Sequence, residues 1–556
     1  MKKYAIGIDF GTLSCRALLV SLVGEDAGAE LACAVCDYPH GVMDKTLSAS
    51  GESLPADYAL QDPEDYLYAL SQVVPEVIAK AGVDKADVVS VGVDFTCSTL
   101  IPVYADGLPL CFDPRFANEK HAYVKLWKHH AAQSYADRIT ELATKRGEPW
   151  IARMGGKVSS EFTLPKLWEL LDRAPEVYEA CDSVIEGGDF IVSHLVGTQV
   201  RSYVTAAYKA QYSEADGYPS EDFLASLDER LRYAARDKLS APLLKAGSAA
   251  GRVTRAAAEN FGLPEGAFVS VAMPDAHVAA PAMGVLRPGK TVGIFGTSNC
   301  YYFLSEEDIA VSGICGSALD GVAPSLYGHE AGLCCAGDHF AWFANNFTSA
   351  EVKIAASEKK MPPLAYMISE AAKKRPGESG LIALDWWNGN RNILNDSDLS
   401  GMVLGMNLRT RPHDVLRALI EATAFATRVI FENFEKHGIR SESLVAAGGM
   451  ARKDPFMMQM YADVLRIRIE VVSSANLPSL ASAIYSSVAA GVYPDIYAAS
   501  DALASKVCRT YVPNEENSLI YERLYAEYLT LHDYFGRGEN NVMKRLRALA
   551  AEVREQ

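Results

Sequence analysis

Apolar and small or polar residues alternate from the start of the chain, where Tyr4, Ile6, Ile8 and Phe10 are spaced by Ala5, Gly7 and Asp9. A period of two sends neighbouring side chains to opposite faces of a strand. The pattern breaks at Gly11 to Cys15 and resumes as an apolar run to Val20, which predicts a β-hairpin. Half a chain later it returns: Gly293 to Leu304 reads GIFGTSNCYYFL, against GIDFGTLSCRAL from Gly7 to Leu18. A hairpin repeated at that distance predicts a duplicated domain. Between the copies, Asp62-Pro63-Glu64-Asp65 opens a helix with an acceptor cap, a proline at the first position and acids in the first turn. Leu67, Leu70, Val74 and Ile78 share its inner face; Pro75 is expected to kink it and Gly82 to close it. Val89, Val91 and Val93 form the next strand, ending in Asp94-Phe95-Thr96, and such a helix-to-strand crossover marks an α/β layer.

Residues 116–235 read as helical insertions and connections. Ser160 is expected to cap a helix through Leu164, Leu167 and Leu171, and Val184 to Val192 reads as a strand. Phe268 to Met273 is another strand, whose end Pro274 keeps extended before a helix from Ala276. Leu416, Leu419, Thr423, Ala426, Ile430 and Phe434 make the inner stripe of a long helix over Pro412 to Lys436. The strand Leu444 to Ala447 then leads through Gly448-Gly449 to a helix from about Pro455. Val471 to Pro494 is uncharged for long enough to suggest a membrane span, but its serines, Asn476 and Pro478 predict a buried helix of small residues.

At 556 residues the chain exceeds what one core supports, and the expected division is 1–287 and 288–556. A net charge of −17 argues against a nucleic-acid partner, which would want a basic stripe. Eleven cysteines form no framework, and the adjacent pair Cys334-Cys335 suits a reducing compartment. Cys33 and Cys36 lie in a strand-like run with no partner pair, so no metal or redox role is expected of them. Asp9 interrupts the first apolar run, which rules against a secretory signal. The expectation is a cytoplasmic protein that binds neither nucleic acid nor membrane; a homodimer is compatible with the chain.

The first hairpin turn is suited to phosphate. Its small residues let backbone N–H groups close on an anion, Thr12 and Ser14 add hydroxyl donors, and Asp9 stands where it would hold a metal ion or its waters. Gly296, Thr297 and Ser298 repeat the turn, and two such turns on opposite walls of a cleft would grip one nucleotide. Asp94 and Thr96 lie at the carboxyl end of a strand, where ligands of α/β sheets gather, although Asp94 is equally a turn former. Asp275 reads either as a functional carboxylate or as a helix N-cap. Glu330, within YGHEAG, is placed to face the cleft, while Lys209 lies in a segment with no strong period. Gly448 and Gly449 permit close backbone approach to a nucleotide base or ribose, or form a plain strand-to-helix turn. Gly284 to Thr291, GVLRPGKT, matches the P-loop pattern letter for letter, but a helix precedes it and a strand follows, the reverse of the order that aims amides at phosphate.

In this order, GIDFGTLSCRA, the PDAH run Pro274 to His277, FGTSN from Phe295 to Asn299 and AAGGMARKDPFMMQMYADVL from Ala446 resemble the FGGY family of carbohydrate kinases over nearly the whole chain. YPHGVMD, YALQDPEDYL, VGVDFTCSTLIP, LWKHHAAQ, GGKVSSEF and AAYKAQ resemble the branch of that family acting on L-ribulose. The resemblance implies an α/β fold of two actin-like (ribonuclease H-like) domains around a central ATP and sugar cleft. It also implies transfer of the γ-phosphoryl of ATP, with Mg²⁺, to the terminal hydroxyl of L-ribulose, in L-arabinose catabolism. The alternatives are another kinase of the family, of the xylulokinase kind, or an actin-like ATPase without a sugar substrate.

By that likeness Asp275 is the catalytic base, for which a carboxylate of ordinary acidity suffices because the proton leaves late in a loose transition state. Asp9 is the Mg²⁺-side carboxylate. Thr12, Ser14, Gly296, Thr297 and Ser298 form the phosphate turns, and Gly448, Gly449 and Lys453 the adenosine side. Thr96, Trp127, Lys209, Asp275 and Glu330 line the sugar pocket. Three positions depart from the family pattern. Cys15 is expected to narrow the first turn, Lys453-Asp454 stands where asparagine is frequent, and Ser479-Leu480-Ala481 replaces Ala-Leu-Gly.

Overall fold

The computed structural model describes residues 2–555 and contains two seven-stranded sheets that repeat one plan. In the first, Tyr4–Phe10 pairs antiparallel with Ser14–Ser21, which pairs antiparallel with Glu30–Asp37. On the other side of Tyr4–Phe10 run Val88–Phe95 and Phe268–Ser270, both parallel to it in direction, then the antiparallel Ala249–Arg252. In the second, Lys290–Phe295 pairs antiparallel with Asn299–Ser305 and parallel with Ser443–Ala447, and Arg468–Val472 and Val507–Tyr511 follow. The duplication read from one hairpin is therefore a duplication of the whole sheet.

Five layers result. The helices Pro63–Ala81 and Gly187–Val196 share one apolar core with the outer face of the first sheet. Pro412–Lys436 and Pro455–Leu465 do the same for the second sheet. Between the sheets lies a core that draws Ala5 and Leu18 from one, Val292 and Val445 from the other, and two central helices, Asp275–Ala282 and Leu477–Ala489. The second of these presses on the first sheet. A Cβ at Gly7 would meet the Ser479 carbonyl oxygen at 1.7 Å, and one at Gly92 would meet that of Ser482 at 1.9 Å. Gly7 and Gly92 are paired in register, so two adjacent strands leave one groove for one helix. That explains why the uncharged stretch is a buried helix of small residues; among the described residues no helix is long and apolar enough to cross a membrane.

The insertions of the first half have a core of their own, built from the sheet of Leu60–Gln61, Val124–Lys125, Leu100–Val103 and Ser183–Glu186 and helices including Gln133–Arg146 and Thr163–Arg173. The helix Pro63–Ala81 contains Pro75 within its length and is closed by Gly82, as its capping pattern predicts. Several local readings are corrected. The strand expected over Val184 to Val192 ends at Glu186 and turns into a helix at Gly187, whose residues Gly187 to Val192 are all buried, and a short buried run has no period that separates strand from helix. Ser160 caps nothing: the helix begins at Thr163 after Phe162, and Ser160 Oγ lies 3.3 Å from His130 Nδ1. Lys209 ends the helix Tyr203–Lys209, capped by Ser202.

Candidate active site

Both predicted turns have the expected form. Gly11 N donates to Ser14 O and Gly296 N to Ser298 O, each at 3.0 Å. Thr12, Ser14, Gly296 and Ser298 are half-buried and Thr297 is exposed, so the turns are open to solvent, while the Gly296 amide closes its own turn. Cys15 does not narrow the first turn. Its side chain is buried on the far face of the strand, among Phe10, Ile6 and the outer helix. Trp127, read as a sugar contact, donates its indole N–H to Thr12 Oγ1 at 3.1 Å and so stands against the first turn.

Asp9 and Asp94 are side by side on neighbouring parallel strands. Arg16 Nη1 approaches Asp9 at 3.5 Å, and Ser482 of the central helix donates to Asp94 Oδ2 at 2.6 Å. Burial, then the charge of Asp9, pushes the Asp94 carboxyl well above the usual carboxylate range, and burial raises Asp9 as well. Asp94 is thus a buried partner of Asp9, not a turn former.

Asp275 opens the other central helix as its first residue rather than its N-cap, which is Pro274. Its Oδ1 accepts from Ala276 N at 2.7 Å. Burial and then the nearby charge of Asp9 raise its carboxyl to about 7, while Lys209 opposes them. The expectation of ordinary acidity is corrected by that desolvation. Asp9 from the first half and Glu330 from the second both act on it, which sets Asp275 between the halves.

Lys209 is not a solvated surface lysine. Its Nζ lies 3.0 Å from Glu330 Oε2, both side chains being less than a tenth exposed, and 5.3 Å from the centre of the Phe162 ring. Burial by itself would lower the ammonium, but Glu330 outweighs it and keeps Lys209 charged. His277 Nε2 is 3.3 Å from the same carboxylate, its ring between Tyr208 and Tyr302. Thr96, buried, has its Oγ1 3.0 Å from Thr99 Oγ1.

On the second sheet, Gly448 has φ +100°, and a Cβ there would strike the Phe295 carbonyl oxygen at 2.2 Å. Its glycine serves backbone packing. Gly449 is exposed with nothing within 4 Å of a Cβ, leaving the space beside it open. Lys453 is exposed at the end of the helix Gly449–Lys453, and Asp454 caps the next helix through Met457 N at 3.0 Å. The P-loop lookalike lies between the helix Asp275–Ala282 and the strand Lys290–Phe295, the inverted order read from the sequence.

Sequence reasoning missed His277, although it quoted the PDAH run. It also missed the segment Ala336–Asp338, which meets the second turn. Ala336 N and Asp338 N donate to Thr297 O, and Gly337 N to Gly296 O. A glycine between a strand, Tyr327–Leu333, and a helix, Gly337–Phe347, was the signal available.

The N-terminal domain of the FGGY family of carbohydrate kinases matches residues 4–282, and the C-terminal domain of that family matches 292–490. The chain belongs to the FGGY family of carbohydrate kinases. Relatives within it include the ribulokinase of Geobacillus thermodenitrificans, 46% identical over 98% of this chain and 97% of the relative. The ribulokinase of Mycolicibacterium smegmatis is 45% identical over 100% of this chain and 98% of its own length. The fold is that of solved FGGY kinases. Xylulose kinase from Rhodospirillum rubrum superposes with a TM-score of 0.76 at 22% identity, covering 95% of this chain and 98% of that one. Gluconate kinase from Lactobacillus acidophilus gives 0.78 at 16% identity, covering 97% and 99%. The FGGY chain is a carbohydrate kinase of two actin-like domains, which sets aside an ATPase without a sugar substrate.

Proposed function

We propose that this FGGY kinase transfers the γ-phosphoryl group of ATP to the terminal hydroxyl of L-ribulose, giving L-ribulose 5-phosphate and ADP in L-arabinose breakdown. The observation that carries this reading is a single gathering: a carboxyl raised to about 7 at the head of a central helix, with the Lys209–Glu330 pair and Asp9 around it. The full-length likeness to ribulokinases supports the choice of sugar. Residues 1–287 would supply the sugar and phosphate side and residues 288–556 the nucleotide side.

In this reading Asp275 accepts the proton of the attacking hydroxyl. A carboxyl with an affinity near neutrality is well matched to that task, and positioning supplies most of the acceleration. Lys209, Glu330, Thr96 and Trp127 hold the sugar. The hydroxyls of Thr12, Ser14, Thr297 and Ser298 hold the phosphates, Gly296 lets the backbone of the second turn come close to them, and Gly448, Gly449 and Lys453 flank the adenosine. The donor set fits Mg²⁺ held through one carboxylate and the substrate's phosphates: Asp9 stands beside the first turn, Asp94 Oδ1 has no hydrogen-bond partner, and among the described residues no group of three metal-ligating side chains forms a cage. When bound there, the ion would neutralise charge on the transferring phosphoryl group.

A coupled ADP assay over ketopentoses, polyols and glycerol tests the substrate. L-Ribulose should give the highest kcat/KM; D-xylulose or glycerol exceeding it would move the chain to another branch of the family. Asp275→Asn should lower kcat by about 10³-fold or more while ATP still binds, and near-normal turnover would refute the base assignment.

A further inference from the structure

We propose that Lys166 is a positioning residue for sugar recognition, a buried ammonium that fastens the two loops carrying Thr96 and Trp127 to one another. The inference rests on the reading that those two residues line the sugar pocket.

Lys166 lies in the helix Thr163–Arg173 and is 1% exposed, as is Glu169. Three residues apart, the two side chains share a helix face. Lys166 Nζ donates to Ser98 O at 2.6 Å and to Leu126 O at 2.8 Å, joining loops that are remote in sequence. Glu169 accepts from Lys125 Nζ at 2.6 Å and lies 3.1 Å from His129 Nε2. The segment from Lys125 to His129 is therefore gripped on both sides of Trp127, whose own indole turns away to Thr12.

The other loop is held as firmly. Ser98 has φ +59°, a left-handed conformation that serine rarely adopts. Thr99 N donates to Glu186 Oε2 at 3.0 Å, and Thr96 Oγ1 meets Thr99 Oγ1. Burying an ammonium is costly unless its protons are bonded, and packing this helix would need only an aliphatic side chain. Here two of its protons fix backbone carbonyls one residue from Trp127 and two from Thr96. Substrate contact is thereby set by a side chain that has no need to touch the substrate itself.

Lys166→Met, close in volume but without donors, is the test, with KM measured separately for the sugar and for ATP. The expected result is a rise of about tenfold or more in sugar KM, with ATP KM within about twofold. An unchanged sugar KM, or equal losses against both substrates with a lowered Tm, would overturn the inference. Should Lys166→Met fail to accumulate folded protein, Lys166→Leu replaces it. It too has no donor for either carbonyl, so the same selective rise is expected and its absence counts against the inference equally. Thr96→Val and Trp127→Phe, assayed beside these, separate the two levels. If neither moves sugar KM, the pocket reading falls; if they do and the Lys166 variants do not, the positioning role alone falls.

Discussion

At the scale of single residues, Asp275 and the Lys209–Glu330 pair make the sharpest demands. The base works ionised, and its carboxyl is raised to about 7, so kcat/KM should fall as pH drops through that value. A profile flat from about pH 6 to 8 would contradict this. Stability has the opposite sign. A carboxyl raised above its unfolded value contributes stability at low pH that is lost as pH rises through the folded value. Asp275→Asn should therefore melt about 2 °C or more above the parent at pH 8, the gap closing as pH falls toward 5. Glu330→Gln leaves the buried Lys209 ammonium without its counter-charge, which should cost about 3–5 kcal/mol in denaturant unfolding. A loss under about 1 kcal/mol would mean that water reaches the lysine.

At the scale of elements, the central helix Leu477–Ala489 and the strands beneath it depend on the absence of two side chains. A Cβ at Gly7 would enter the Ser479 carbonyl, and neither partner can yield because each is backbone. Gly7→Ala should destabilise by about 3 kcal/mol or more and lower activity through Asp94, which Ser482 of that helix holds. An alanine variant with the parent Tm would show that the helix can shift freely. The departure of Ser479-Leu480-Ala481 from the family pattern falls on this contact. Ser479 touches the glycine through its carbonyl oxygen, which any residue supplies, so the helix still seats.

At the scale of the whole molecule, the halves are joined near the site by more than the central helices. Glu161 and Arg391 pair across them at 3.2 Å, Lys157 Nζ donates to Asn395 O at 3.3 Å, and Gly313 N donates to Gly155 O. A Cβ at Gly155 would lie 2.2 Å from Ile314 O, so the contact has no slack. These contacts tie the insertions of the first half to loops of the second, where closure would exclude water as a competing phosphoryl acceptor. Arg391→Met should raise ADP released per sugar phosphate formed above one, measured with both products in the same reaction. A ratio that stays at one would assign the pair to stability alone.

Periodicity and turn chemistry determined the two hairpins, the capped helix at Pro63, the long helix over Pro412–Lys436 and the rejection of the P-loop lookalike, because each depends on residues within a few positions of one another. The family motifs pointed to the site residues one by one. Tertiary structure alone decided that Lys209 is buried against Glu330, that the Asp94 carboxyl is raised beside Asp9, that Cys15 faces away from its turn, and that the Asp275 carboxyl is raised to about 7. Those properties come from desolvation and from charges remote along the chain, and no local pattern encodes which strand will lie beside which.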